Sequence, residues 1–116
     1  KIEIPVSVAK LKPLTFCGCK SIKEISIPSS VVEISDYAFM GCISLENIEI
    51  PSNTTIIGER CFYNCSALKQ ISIPNSVSVI RDFAFDGCKS LVNVGIPSSL
   101  VSLTNLEFDR NILRID

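Results

Sequence analysis

The dipeptide Ile-Pro recurs at Ile4-Pro5, Ile27-Pro28, Ile50-Pro51, Ile73-Pro74 and Ile96-Pro97, always 23 residues apart. A fixed period of this length constrains the fold more than any composition does. One unit of that size cannot bury its own apolar side, and only stacked copies close a continuous core. Other positions keep the same register. Phe16, Phe39, Phe62, Phe85 and Phe108 form one column, and Leu11, Ile34, Ile57, Ile80 and Leu103 form a second. Val8, Val31, Thr54, Val77 and Leu100 make a third, with Thr54 its one polar member. Cys19, Cys42, Cys65 and Cys88 make a fourth, whose fifth place is taken by Asn111.

Within each unit the segments IKEISIP, LENIEIP, LKQISIP and LVNVGIP end in two apolar residues that alternate with polar ones. That is the pattern of a half-buried strand, and proline stops it because it has no N–H for a ladder. Strands are therefore predicted at residues 24–27, 47–50, 70–73 and 93–96, with a fifth at 2–4, stacked in parallel from coil to coil. The other half of the unit, SVVEISDYAFMGCISL in the second copy, has an apolar spacing that suits neither a long helix nor a long strand. It predicts a short extended piece at 31–34, then a tight turn or single helical turn through 39–42.

The unit SVxxIxxxAFxGCxSLxxIxIP resembles the BspA-type leucine-rich repeat, a family common in large surface proteins of some bacteria and protozoa. The resemblance runs over nearly the whole chain. The third copy departs from the pattern at Thr54 and Cys61, the first at Leu14-Thr15, and the fifth replaces Gly-Cys by Arg110-Asn111. It implies a leucine-rich repeat solenoid, with a parallel sheet of short strands on one face and extended pieces and turns on the other. Residues 1–116 then make one domain of about five repeats, expected to belong to a longer array. It also implies a cell-surface or secreted location.

Composition removes several functions. Hydrophobic residues make up 47% and charged ones 20%, enough apolar content for a packed core. The net charge is −1 and the 11 basic residues are scattered, which argues against nucleic acid, where affinity comes from clustered Lys and Arg displacing counterions. No apolar run approaches the roughly 20 residues of a membrane span, so direct membrane insertion is not expected. The opening KIEIPVSV has neither the apolar core nor the cleavage site of a signal peptide. There is no His, no phosphate loop and no dinucleotide fingerprint, so neither catalysis nor a cofactor is expected. Asp36, Glu59 and Asp82 share a turn column, but Pro13 and Asn105 interrupt it, and solvated turn residues are the expectation.

Cysteines in one column of a parallel stack sit about 4.8 Å apart. Their parallel Cβ vectors keep the Cβ atoms beyond the usual disulfide separation of about 3.5–4.5 Å. Cys19, Cys42, Cys65 and Cys88 are therefore expected to be reduced, buried, small apolar fillers. Cys61 takes the column of Ala38 and Ala84, whereas Cys17 takes a mixed, partly exposed column with Met40, Tyr63 and Asp86. Neither CGC nor CFYNC is matched by a second clamp at zinc-site spacing, so no metal is expected.

Two surfaces remain. On the strand face Glu24, Asn47, Gln70 and Asn93, with Ser26, Glu49, Ser72 and Gly95, point outward, flanked by Lys23, Glu46, Lys69 and Val92. This is expected to be a polar, nearly flat patch in which Asn47, Gln70 and Asn93 could ladder with one another. On the turn, Leu14, Tyr37, Arg60, Phe83 and Leu106, with Met40 and Tyr63 nearby, supply the bulky residues that interfaces use as anchors. Exposed, they form a binding strip; packed on neighbouring coils, they are core. The sequons at Asn53 and Asn64 matter only in a eukaryotic secreted protein. The resulting expectation is a non-enzymatic recognition or adhesion module for a protein or glycan ligand, the alternative being a structural spacer that presents another domain. The apolar first coil, with Ile2, Ile4, Val6 and Val8, is expected to self-associate.

Overall fold

The computed structural model of the chain describes residues 2–100 and 113–115, the last three as backbone alone. Leu103, Asn105, Leu106, Phe108 and Asn111 lie outside the described residues, as do Asp109, Arg110 and Asp116.

The described residues wind into a solenoid whose strands are β1 (Ile2–Glu3), β2 (Lys10–Leu11), β3 (Glu24–Ser26), β4 (Glu33–Ile34), β5 (Asn47–Ile48), β6 (Ile56–Ile57), β7 (Gln70–Ser72), β8 (Val79–Ile80), β9 (Asn93–Ile96) and β10 (Leu113–Ile115). The odd-numbered strands up to β9 fall where the alternating segments place them. All the strand pairs are parallel, and within the repeats each joins residues one period apart, such as Ile2 with Ile25 and Gln70 with Asn93. Their apolar residues, Ile25, Ile48, Ile71 and Val94, point inward and are buried.

The piece expected at 31–34 to be merely extended does more. β2, β4, β6 and β8 pair into a second, four-stranded parallel sheet, with Glu33 opposite Ile56 and Ile34 opposite Ile57. Once stacking brings these β-branched residues to the same height, pairing their backbones satisfies amides that would otherwise be stranded beside the core. After each Ile-Pro the proline carbonyl accepts from the amide three residues on: Val8, Val31, Thr54, Val77 and Leu100. Proline thus ends one strand and closes the β-turn that follows.

The second turn is not helical. The single helical element among the described residues is a 3-10 turn at Ser98–Leu100. Instead, alternate amides of the turn reach into the next coil. Tyr37, Phe39 and Gly41 donate to the carbonyls of Glu59, Cys61 and Tyr63 at 2.9, 2.8 and 2.7 Å, and Arg60, Phe62 and Asn64 donate likewise to Asp82, Ala84 and Asp86. This third inter-coil ladder fixes the height of every turn side chain.

Between the ladders lies the core. Phe16, Phe39, Phe62 and Phe85 stack in a column with centroids 5.3 Å apart. Thr54, buried in the valine column, donates its hydroxyl to the Val31 carbonyl at 2.9 Å, which removes the penalty for burying it. Cys61 is fully buried in the alanine column. The first sheet has one seam. β1-β3-β5 and β7-β9-β10 are separate pieces, and beside the gap the Lys69 amide reaches the Glu46 carbonyl only at 3.5 Å, against 2.9 Å for the equivalent bonds of Glu46 and Val92.

Candidate ligand-binding surfaces

The strand face is not flat. The chain bends out of the sheet at each proline, so that Ser29, Pro51, Ser52 and Pro74 raise a wall beside the strands and enclose an open groove of about 1080 Å³. Glu24, Asn47, Glu49, Gln70, Ser72 and Asn93 line its floor, and among the described residues no Lys or Arg does. Lys23, Glu46 and Lys69 stand exposed outside it, and Val92 continues their column. The ladder of amides does not form: the side chains of Asn47, Gln70 and Asn93 make no hydrogen bond to the described residues. Glu24, Glu46 and Glu49 make no ion pair either, since Lys10–Glu33 and Arg60–Glu59 are the pairs among the described residues. Among the described residues the groove floor is acidic and amide-bearing, and its Asn, Gln and Glu side chains are uncommitted. Sequence reasoning found its floor but missed the serine and proline wall, which only the bend after proline creates.

The turn column lies at the surface, neither fully free nor core. The Arg60 guanidinium is 4.8 Å from the centroid of Phe83 in the next coil and 5.6 Å from that of Tyr63. One of its nitrogens meets Glu59 Oε2 at 2.7 Å, and the Tyr37 hydroxyl donates to the same oxygen at 3.4 Å. The strip is therefore a connected cluster. Glu59, which the sequence placed among solvated turn acids, is the residue that joins it. Asp36 is committed as well: its Oδ1 accepts the Glu59 amide at 2.8 Å. The acidic column holds no cation site, and among the described residues no three His, Cys, Asp or Glu side chains converge on one point.

All six cysteines are free thiols. The ladder members donate S–H to phenylalanine carbonyls, Cys42 to Phe16, Cys65 to Phe39 and Cys88 to Phe62, at 3.1, 3.1 and 3.2 Å. Cys42 and Cys65 are wholly buried, but Cys19 and Cys88, the outer members, are only half-buried, which corrects the expectation of a uniformly inaccessible column. Burial pushes the Cys88 thiol up to about 12 and Cys61 upward as well. Cys65 is raised by its hydrogen bond with the Cys42 thiol and by burial, and the same bond acts in the opposite sense on Cys42. Cys42, Cys61 and Cys65 act as buried packing groups, and Cys88 stands half-buried at the end of their column. Asn53 donates its side-chain amide to the Ser29 carbonyl, and Asn64 is exposed just before buried Cys65.

Period, paired sheets and thiol ladder coincide with one family: the model of the BspA type leucine rich repeat region matches residues 1–114 in six copies. The chain is a BspA-type leucine-rich repeat protein. This BspA-type chain superposes on a leucine-rich cell surface protein of Faecalibacterium prausnitzii with a TM-score of 0.81 and 40% identity, over 84% of this chain and 26% of that one. A leucine-rich repeat protein of Bacteroides ovatus gives 0.71 and 29%, over 81% and 30%. The T. pallidum leucine-rich repeat protein gives 0.62 and 28%, over 82% and 57%. The BspA-type chain thus spans well under two thirds of each of these proteins. No curated protein matches it. No helix among its described residues is long and apolar enough to cross a membrane.

Proposed function

We propose that the chain is a non-enzymatic recognition module of a cell-surface or secreted protein, binding a protein or glycan ligand in the concave groove. The observation that carries this is the uncommitted floor: the side chains of Asn47, Gln70, Asn93, Glu24 and Glu49 converge on one groove, and none has a hydrogen-bond or ion-pair partner among the described residues. Groups left unpaired on a preformed scaffold are free to bond a ligand without first breaking internal bonds. The similarity to a leucine-rich cell surface protein supports the location. Absence of His and of a phosphate loop supports the lack of catalysis. Glycan and peptide arrays probed with the chain test the reading. Signal that Asn47→Ala and Gln70→Ala abolish supports it, and signal that survives both changes removes the groove as the site.

The rival role is a spacer that holds another domain away from a surface. It is favoured by the regular stacking of the Phe16–Phe39–Phe62–Phe85 column, which makes a stiff rod whatever the groove does. Arrays without any signal, at protein concentrations that detect weak lectin-like binding, favour that role.

A further inference from the structure

We propose that the outer turn edge is a second binding surface, for a protein segment that presents an apolar or aromatic side chain flanked by lysine or arginine. Each turn holds two residues in the left-handed region, four positions apart. One of these positions carries Gly18, Gly41, Asn64 and Gly87, the residue types that adopt this conformation with least strain. The other carries Leu14, Tyr37, Arg60 and Phe83, with φ of 67°, 62°, 49° and 60°. A bulky side chain held there is strained, because its Cβ crowds the following carbonyl oxygen. Glycine or asparagine would relieve it, as the same chain shows four residues further on. Core packing does not require the larger side chains. Leu14 is 56% exposed and Phe83 36%, and Tyr37 and Arg60 are half-buried at the surface. Strain retained at four successive surface positions, all bulky, points to contact with something outside the chain.

The arrangement says what that contact is. Glu59 and the rings of Phe83 and Tyr63 hold Arg60 in place, so tyrosine, arginine and phenylalanine stand preordered as anchors. The guanidinium covers one face of each ring, and a sugar stacking on that face would have to displace it. A protein side chain can instead pack against the ring edges and the open edge of the guanidinium. Asp82 and Asp86, on either side of Phe83 in sequence, have no ion-pair partner among the described residues, whereas Glu59 is engaged by Arg60 and Asp36 by the Glu59 amide. The strip therefore ends in free carboxylates, complementary to a basic flank. It shares no residue with the groove and stands or falls independently of it.

Short random peptides displayed on phage, selected on the chain and counter-selected on the Arg60→Gly/Phe83→Gly double variant, test the proposal. Enrichment of aromatic or aliphatic residues next to Lys or Arg is expected. A synthesised winner should bind the wild type and Lys89→Ala alike, and Phe83→Gly roughly tenfold or more weakly. Tyr37→Gly and Phe83→Gly should melt at or above the wild-type temperature, because each relieves strain. Four results overturn the proposal: no enrichment, enrichment of acidic flanks, glycan-array signal that Phe83→Gly removes, or glycine variants that melt several degrees lower. The last would assign the side chains to packing.

Discussion

The ring of Phe39 lies 5.3 Å from the ring of Phe62, centroid to centroid, and is tilted from it by 3°. With Phe85 in the same relation on the far side, Phe62 is packed between two rings in adjacent coils. Phe62→Ala should therefore destabilise by about 3–5 kcal/mol, and Phe62→Leu by less, because it leaves a smaller cavity. Exposed Lys69→Ala should stay within about 0.5 kcal/mol of wild type. Denaturant midpoints measure all three, and equal effects of Phe62→Ala and Lys69→Ala would contradict the ring column.

The thiols should separate by accessibility. Under native conditions a maleimide should label Cys17 and Cys19, Cys88 slowly, and Cys42, Cys61 and Cys65 only after unfolding. Mass spectrometry of the labelled peptides reads this directly. Disulfide-linked peptides joining ladder neighbours would contradict the reduced column.

Stability should fall at high pH. The folded state holds the Cys88 proton to about 12, whereas an unfolded thiol loses it near 9.0. Between those values the unfolded state binds fewer protons, so the slope of stability with pH is negative. Melting temperature should be insensitive to this group below about pH 8 and decline as pH rises above 9. Cys88→Ala should show a shallower decline. An identical slope would assign the alkaline loss to other groups.

A Cβ built on Gly58 would fall against the backbone nitrogen of Asp36 and stand 2.5 Å from the Ser35 carbonyl carbon. Gly58→Ala should cost about 1–3 kcal/mol through overpacking. Because the added Cβ would press on Asp36, whose Oδ1 accepts the Glu59 amide at 2.8 Å, hydrogen exchange at Glu59 should accelerate in this variant. Unchanged exchange and stability would show that the backbone yields there without loss.

The outer side of the first coil carries an apolar cavity of about 580 Å³, lined by Ile2, Ile4, Val8, Leu11 and Phe16, and Val6 beside it is 82% exposed. We expect the chain to self-associate through this face. Sedimentation across a concentration series should show reversible association that Val8→Lys abolishes; a monomer at every concentration would exclude it.

The period made the coils, the core columns and the first sheet legible, because every copy repeats the same demand for burial. The second sheet was not legible, since residues 31–34 alternate too briefly to distinguish a paired strand from an extended link. Gly18, Gly41 and Gly87 announce one left-handed column, but Tyr37, Arg60 and Phe83 are not residue types that signal that conformation, so nothing in their letters revealed it. The groove was half legible: alternation identified Asn47 and Gln70 as outward, and proline marked where each strand stops, whereas the depth depends on how far the chain bends out after it, which residue type does not give. Arg60 over Phe83 joins residues 23 apart whose partnership depends on exact height, which the turn ladder sets.

The seam between β5 and β7 has a mechanical consequence. Every inter-coil hydrogen bond runs from one coil to the next, so the coils form links in series and a pull along the stack loads each interface with the same force. The interface between Asn47–Ile48 and Gln70–Ser72 meets that force with only the long Lys69–Glu46 bond on the strand face, while the second sheet and the turn ladder continue across it. Under tension this link should open first on the groove side and pivot about the other two ladders. A ligand seated across Asn47 and Gln70 would bridge that link and stiffen it, so binding and extension would oppose each other in a single-molecule pulling experiment.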